Sequence, residues 1–275
     1  MISPVASVAA VDRWVAAQRV RPDPPAAAPP VFRAWRSPVG WSVFRYRPRL
    51  VPFGRLLWLP GGAFVRAITA AHWAMVEKLA DETGFEAVVV CYPLLPRVRA
   101  AQAVDDLVGL IAAVNDAEAK RMVVMGDSAG AGLSLAATQE MARRGLRLPA
   151  ALALVSPWVD LRLVDPGQPA LEAGSAPLTI AGMRRCGELY AGELGLAHPA
   201  VSPLLGTMAG LPPLTLVGGT ADLLFPDARR LAGAAAAADV PVRLLKAVDA
   251  PHNYPLTEHS DAAEAQAALV AACVH

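Results

Sequence analysis

Five residues, Gly126-Asp127-Ser128-Ala129-Gly130, fit the pattern Gly-x-Ser-x-Gly. The spacing suits a nucleophile on a sharp turn between a strand and a helix, where the flanking positions must be small. The context has that form: residues 121–125 are a short apolar run, and residues 129–144 have helical spacing. A serine on such a turn stands at a helix N-terminus, whose dipole favours developing negative charge. The chemistry would be attack on an acyl carbonyl. An ordinary N-cap serine in a glycine-rich turn is the bland alternative, and only further pieces in the right order count against it.

A serine hydroxyl needs a base, and near neutral pH that base is usually histidine. In a strand-turn-helix hydrolase the chain order runs serine, then acid, then histidine. That order sets aside His72, which precedes Ser128. His198 falls inside an irregular insertion, His259 in a helical stretch, and His275 is terminal. His252 remains, on a turn after an apolar strand, where ligand chemistry gathers in open α/β sheets. The acid must lie between the two. Asp222 follows the apolar strand 214–217 and is favoured, with Asp160 and Asp249 as rivals that also follow strands. Trp58-Leu59-Pro60-Gly61-Gly62-Ala63-Phe64 ends another strand in small residues. Such a loop brings backbone N–H groups close to a developing oxyanion, so Gly61, Gly62 and Ala63 join Ala129 as the expected oxyanion hole.

These residues need a scaffold, and the apolar pattern predicts one. Strands are expected at 31–36, 41–46, 55–59, 86–92, 121–126, 150–155, 214–218 and 242–246. Helices are expected at 3–19, 69–82, 99–115, 128–144, 225–238 and 258–272. From residue 55 onward strands alternate with helices, the signature of a parallel sheet covered on both faces. Residues 160–211 interrupt this with an irregular segment rich in Pro and Gly, long for a loop in a compact domain and so read as a cap. A Pro- and Ala-rich arm covers residues 21–30.

Taken together, the motifs resemble the hormone-sensitive-lipase-like, or α/β-hydrolase-3, group of bacterial esterases. Pro60-Gly61-Gly62-Ala63-Phe64 is similar to that family's His-Gly-Gly-Gly-Phe/Trp, and Gly126-Asp127-Ser128-Ala129-Gly130 to its Gly-Asp-Ser-Ala-Gly. Ser156-Pro157-Trp158, Ser202-Pro203-Leu204 and Thr220-Ala221-Asp222 also resemble family segments. The resemblance implies an α/β-hydrolase fold: a mostly parallel central sheet, helices on both faces and a small helical cap. It implies one domain over residues 1–275, with cap elements at about 1–30 and 160–211. It also implies a Ser128, Asp222, His252 triad. The expected activity is hydrolysis of small uncharged esters, acetyl or other short acyl, through an acyl-enzyme on Ser128. Deacetylation of a natural product, lactone opening, or a receptor that has lost catalysis are the alternatives. Three segments depart from the family: Pro60, Ala63, and Cys91-Tyr92-Pro93-Leu94-Leu95-Pro96-Arg97, where the family has Asp-Tyr-Arg-Leu-Ala-Pro-Glu.

Composition is compatible with this reading. With 25 basic and 24 acidic residues, the net charge of +1 gives no reason to expect nucleic acid or anionic membrane as a partner. A mean hydropathy of +0.38 fits a large core, and no charge-free apolar run reaches the about 18 residues of a membrane span. The first ten residues lack a basic start, so no signal peptide is expected. Three cysteines without a Cys-x-x-Cys argue against a disulfide framework or zinc site, and for a reducing cytoplasm. No metal or cofactor is called for. The C-terminal strand and helix are candidates for a homodimer contact.

Overall fold

The computed structural model describes residues 5–20, 27–115, 121–175 and 178–274. Eight strands form one sheet: β1 (Arg33–Arg36), β2 (Ser42–Tyr46), β3 (Arg55–Leu59), β4 (Glu86–Cys91), β5 (Met122–Asp127), β6 (Ala151–Val155), β7 (Leu214–Gly219) and β8 (Val242–Ala247). Their order is β1-β2-β4-β3-β5-β6-β7-β8. Strands β3 to β8 run parallel, while β1 and β2 are an antiparallel pair joined to β4. The expected doubly covered sheet of the α/β-hydrolase fold is therefore present.

The apolar runs are continuous because both faces of the sheet are buried. Side chains alternate between faces, so neighbours in one strand enter different cores. Leu57 and Leu59 pack with Val88, Val124 and Leu152 on one side. Leu56 and Trp58 pack with Val89, Val123 and Ala153 on the other. The first side is covered by α3 (Ala100–Val114), α4 (Ser128–Arg143) and α7 (Phe225–Ala237). The second is covered by α2 (Ala70–Thr83) and α8 (Ala262–Val274).

The segment expected to be irregular contains two helices, α5 (Gln168–Glu172) and α6 (Ile180–Ala191). Thr179 caps α6 by accepting the Gly182 N–H at 3.0 Å. Its helical signal is weakened by Gly182 and Gly187, which the packing requires. A side chain at Gly182 would strike the Val5 carbonyl carbon at 2.6 Å, and one at Gly187 would crowd Leu161. The N-terminal helix α1 (Val8–Val20) lies on α6, joined by an Arg185–Asp12 ion pair at 2.8 Å. Just before α1, the Thr179 hydroxyl donates to the Val5 carbonyl at 2.8 Å.

Other boundaries differ by a few residues. The expected helix from residue 258 begins at Ala262, because His259 Nδ1 accepts the Asp261 N–H in a turn ahead of it. His259 is thus not helical. The expected helix 3–19 begins at Val8, and residues 1–4 lie outside the described residues, as do 21–26 of the proline-rich arm.

Helix α4 crosses so close to β3 that a side chain at Gly130 would meet the Leu59 carbonyl carbon at 2.6 Å and the Pro60 oxygen at 2.7 Å. Gly130→Ala should therefore cost about 1–3 kcal/mol in urea melts. Gly233→Ala in α7, with open space around the added methyl, should be neutral or stabilising. Equal effects of the two changes would contradict this packing.

Candidate active site

Strand β5 ends at Asp127 and α4 begins at Ser128 without an intervening loop. The turn forces Ser128 to φ 49°, a left-handed conformation that a serine adopts only under constraint. The carbonyl of Ser128 accepts the Trp158 N–H at 3.1 Å, tying the turn to the chain after β6. Ser128 is 3% exposed and faces a cavity of about 220 Å³ that His252 also lines. Val5 and Leu178 close it from the α1–α6 side.

His252 sits on the loop after β8. Its Nδ1 meets Asp222 Oδ2 at 2.9 Å. A carboxylate only accepts, so Nδ1 carries the proton and Nε2 of the neutral ring is left basic. Asp222 is fully buried at the end of β7, and its other oxygen accepts the Leu224 N–H at 3.0 Å. Burial pulls the His252 pKa down, but the charge and hydrogen bond of Asp222, and then the charge of Asp127, outweigh it and raise the pKa above its ordinary 6.5. The rival acids are elsewhere. Asp160 is held by Arg162, with two contacts of 2.8 Å, and by Arg230. Asp249 is exposed.

A second buried carboxylate organises the surroundings. Asp127 Oδ1 accepts the Gly61 N–H at 2.9 Å, and Oδ2 accepts the Asn253 amide at 2.6 Å. His72 Nε2 lies 3.2 Å from Oδ1 and 3.3 Å from Oδ2. The Thr69 N–H donates to His72 Nδ1 at 3.1 Å, so the proton of the neutral ring is on Nε2, facing Asp127. Burial raises the Asp127 pKa, but the interactions with His72, the Gly61 N–H and His252 together hold it below the usual carboxylate value.

One expectation is corrected here. The Gly61 N–H is committed to Asp127 and does not face an incoming oxyanion. Gly61 serves instead by close approach, since a side chain there would meet the Ser128 Cβ at 2.8 Å. Gly62 and Ala63 line the cavity, and among the described residues their N–H groups and that of Ala129 have no protein acceptor. Ala63 and Phe64 have φ of 52° and 60°, a strained pair that turns this loop toward Ser128. The Tyr92 hydroxyl holds the loop's start by donating to the Pro60 carbonyl at 2.6 Å.

His72 and Asn253 escaped the sequence reading. The serine-acid-histidine order set His72 aside as a base and gave no role to a histidine before Ser128. The Thr-x-x-His spacing at the start of a helix was its only local signal. Cys91 is half-buried, and burial pushes its thiol up to about 12, which makes it a poor nucleophile. Among the described residues, no three His, Cys, Asp or Glu side chains converge as a metal site.

The Asp127 cluster makes a stability prediction. His72→Ala leaves a buried charge with one partner fewer and should cost about 2–4 kcal/mol near neutral pH. A carboxyl whose folded pKa is depressed stabilises fully above its unfolded value, about 3.9, and loses that contribution as pH falls through the folded value. Melting temperatures of wild type and Asp127→Asn should therefore converge as pH drops below about 3.9. Parallel curves would contradict the assignment.

Residues 56–256 match the family model of the alpha/beta hydrolase fold. The acetyl-hydrolase of Streptomyces hygroscopicus is 34% identical over 189 residues, which are 68% of this chain and 63% of that protein. The chain thus spans under two thirds of that relative's length. A putative esterase from Staphylococcus aureus superposes with TM-score 0.87 at 22% identity, covering 97% of this chain and 95% of its own. An esterase of the bacterial hormone-sensitive lipase family superposes with TM-score 0.78 at 25% identity, covering 96% and 98%. The chain belongs to the α/β-hydrolase-3 family, among whose folds bacterial hormone-sensitive-lipase esterases are its structural neighbours.

Proposed function

We propose that the protein is a serine carboxylic ester hydrolase acting on small esters with short acyl groups. The observation that carries the proposal is Ser128 on its strained turn, sharing one cavity with a histidine whose far nitrogen is held by a buried carboxylate. Ser128 Oγ attacks the ester carbonyl and passes its proton to His252 Nε2. Asp222 stabilises the imidazolium that forms. The N–H groups of Gly62, Ala63 and Ala129 receive the negative oxygen of the tetrahedral intermediate. His252 returns the proton to the leaving alcohol, and an acyl-enzyme remains on Ser128. Water, deprotonated by the same histidine, releases the acid. No metal or cofactor takes part in these steps.

Residues 1–30 and 160–211 act as the cap of one catalytic domain in this proposal, supported by Val5 and Leu178 on the cavity wall. A small cavity and the acetyl-hydrolase name of a relative favour acetyl and similar groups. No helix of the described residues is long and apolar enough to cross a membrane. We place the protein in the cytoplasm, where its three free cysteines would stay reduced. The edge strand β8 is the element we assign to a homodimer contact.

A fluorophosphonate probe should label Ser128 in the wild type and leave Ser128→Ala unlabelled. Equal labelling of both would end the proposal. The rate also has a pH signature. His252 must be neutral to act, and its pKa is raised, so kcat/KM should fall on the acid side with a midpoint above 6.5. The His252–Asp222 pair runs oppositely for stability: its contribution is complete below 6.5 and is lost as pH rises through the folded value. Asp222→Asn should cost roughly 10⁴ in kcat while the protein stays folded. Full activity in that variant would move the acid elsewhere.

A further inference from the structure

A second cavity, of about 370 Å³, adjoins the one that holds Ser128. Gly61, Arg66 and Ala67 line both, so the loop after β3 is a wall they share, with the larger lobe on one side and the smaller, Ser128 lobe on the other. The walls of the larger lobe are apolar, built from Trp41, Ile68, Tyr92 and Leu94. Two guanidinium groups, Arg66 and Arg97, also line it, and no acidic side chain does. Both arginines are exposed, and among the described residues neither side chain has a carboxylate or carbonyl partner. Arg162 and Arg230, by contrast, are spent on Asp160. The one carboxylate lining the smaller lobe, Asp127, is already bonded to Gly61, Asn253 and His72.

We infer that the larger lobe is a subsite for an anionic group, a carboxylate or phosphate, carried on the apolar body of the substrate a short distance from the scissile ester. Planar guanidinium groups match the oxygens of such anions two at a time. Both guanidinium groups are exposed and screened by water, so the selectivity rests on their paired geometry beside the apolar walls. Overall charge near zero points to uncharged esters, but a substrate meets the local field, and here that field is positive. The inference rests on Ser128 being the nucleophile, since it is the shared wall with that residue's cavity that makes the lobe part of a substrate site.

Binding separates this inference from the esterase proposal. Ser128→Ala protein is titrated by calorimetry with two matched pairs: phenyl acetate against 4-acetoxybenzoate, with charge in the alcohol half, and 4-nitrophenyl butyrate against the 4-nitrophenyl monoester of succinic acid, with charge in the acyl half. The anionic member of one pair should bind about tenfold more tightly, and the pair that responds shows which half enters the lobe. Adding Arg66→Gln and Arg97→Gln should abolish the difference within the responding pair. Equal binding within both pairs, or a preference that survives the arginine changes, overturns the inference. Turnover of the neutral esters by wild type is read separately. If it is absent while the charge-dependent binding persists, the esterase proposal fails and the lobe is an anion-binding site with no scissile ester beside it, which overturns its reading as a substrate subsite.

Discussion

A charge buried without water must be surrounded by donors, and the site is arranged around one such charge, Asp127. It sits one residue before Ser128, so whatever bonds to it is brought to the nucleophile. Its donors come from three separated parts of the chain: Gly61 after β3, His72 on α2, and Asn253 beside His252. The loop after β3 and the loop that carries His252 are therefore positioned by the same two oxygens. Asn253 itself has a left-handed φ of 56° and donates its N–H to Ser156 at 3.0 Å, which fixes the peptide next to the base from the other side.

The cavity region thus holds two histidines and two buried aspartates with separate duties. Asp222 holds His252 by Nδ1, leaves Nε2 without that partner, and makes the ring more basic. Asp127 takes a proton-bearing nitrogen from His72, whose other nitrogen is occupied by the Thr69 N–H, so His72 has no free lone pair to act as a base. Which ring nitrogen has a protein partner, and not distance from Ser128 alone, distinguishes the two histidines.

Much of this was legible in the chain. The alternation of apolar runs with helical spacing gave the parallel sheet, because burial on both faces leaves continuous runs such as Val88-Val89-Val90. Small residues around Ser128 marked the sharp turn, and the two strand-end residues singled out, Asp222 and His252, meet at 2.9 Å. The failures have physical causes. Helix α6 needs glycines for close packing, and those glycines weakened the pattern that would have revealed it. Gly61 looked like an oxyanion donor because loop position alone does not say which N–H already has an acceptor. His72 was invisible because its role depends on a contact across 55 residues to Asp127.

The hydrogen bond from Thr179 to the Val5 carbonyl closes a loop of 174 residues. Val5 and Leu178 are also walls of the nucleophile's cavity. Closing so long a loop costs chain entropy that local contacts do not return, and contacts of this separation form slowly. The sheet and the Ser128 turn can assemble from residues nearer in sequence, while the cavity gains its last wall only when the N-terminal segment returns to α6. The segment that supplies this wall is itself set into the core through Val5, Val11 and Val15, so removing it would open the cavity and leave a hole in the core at the same time.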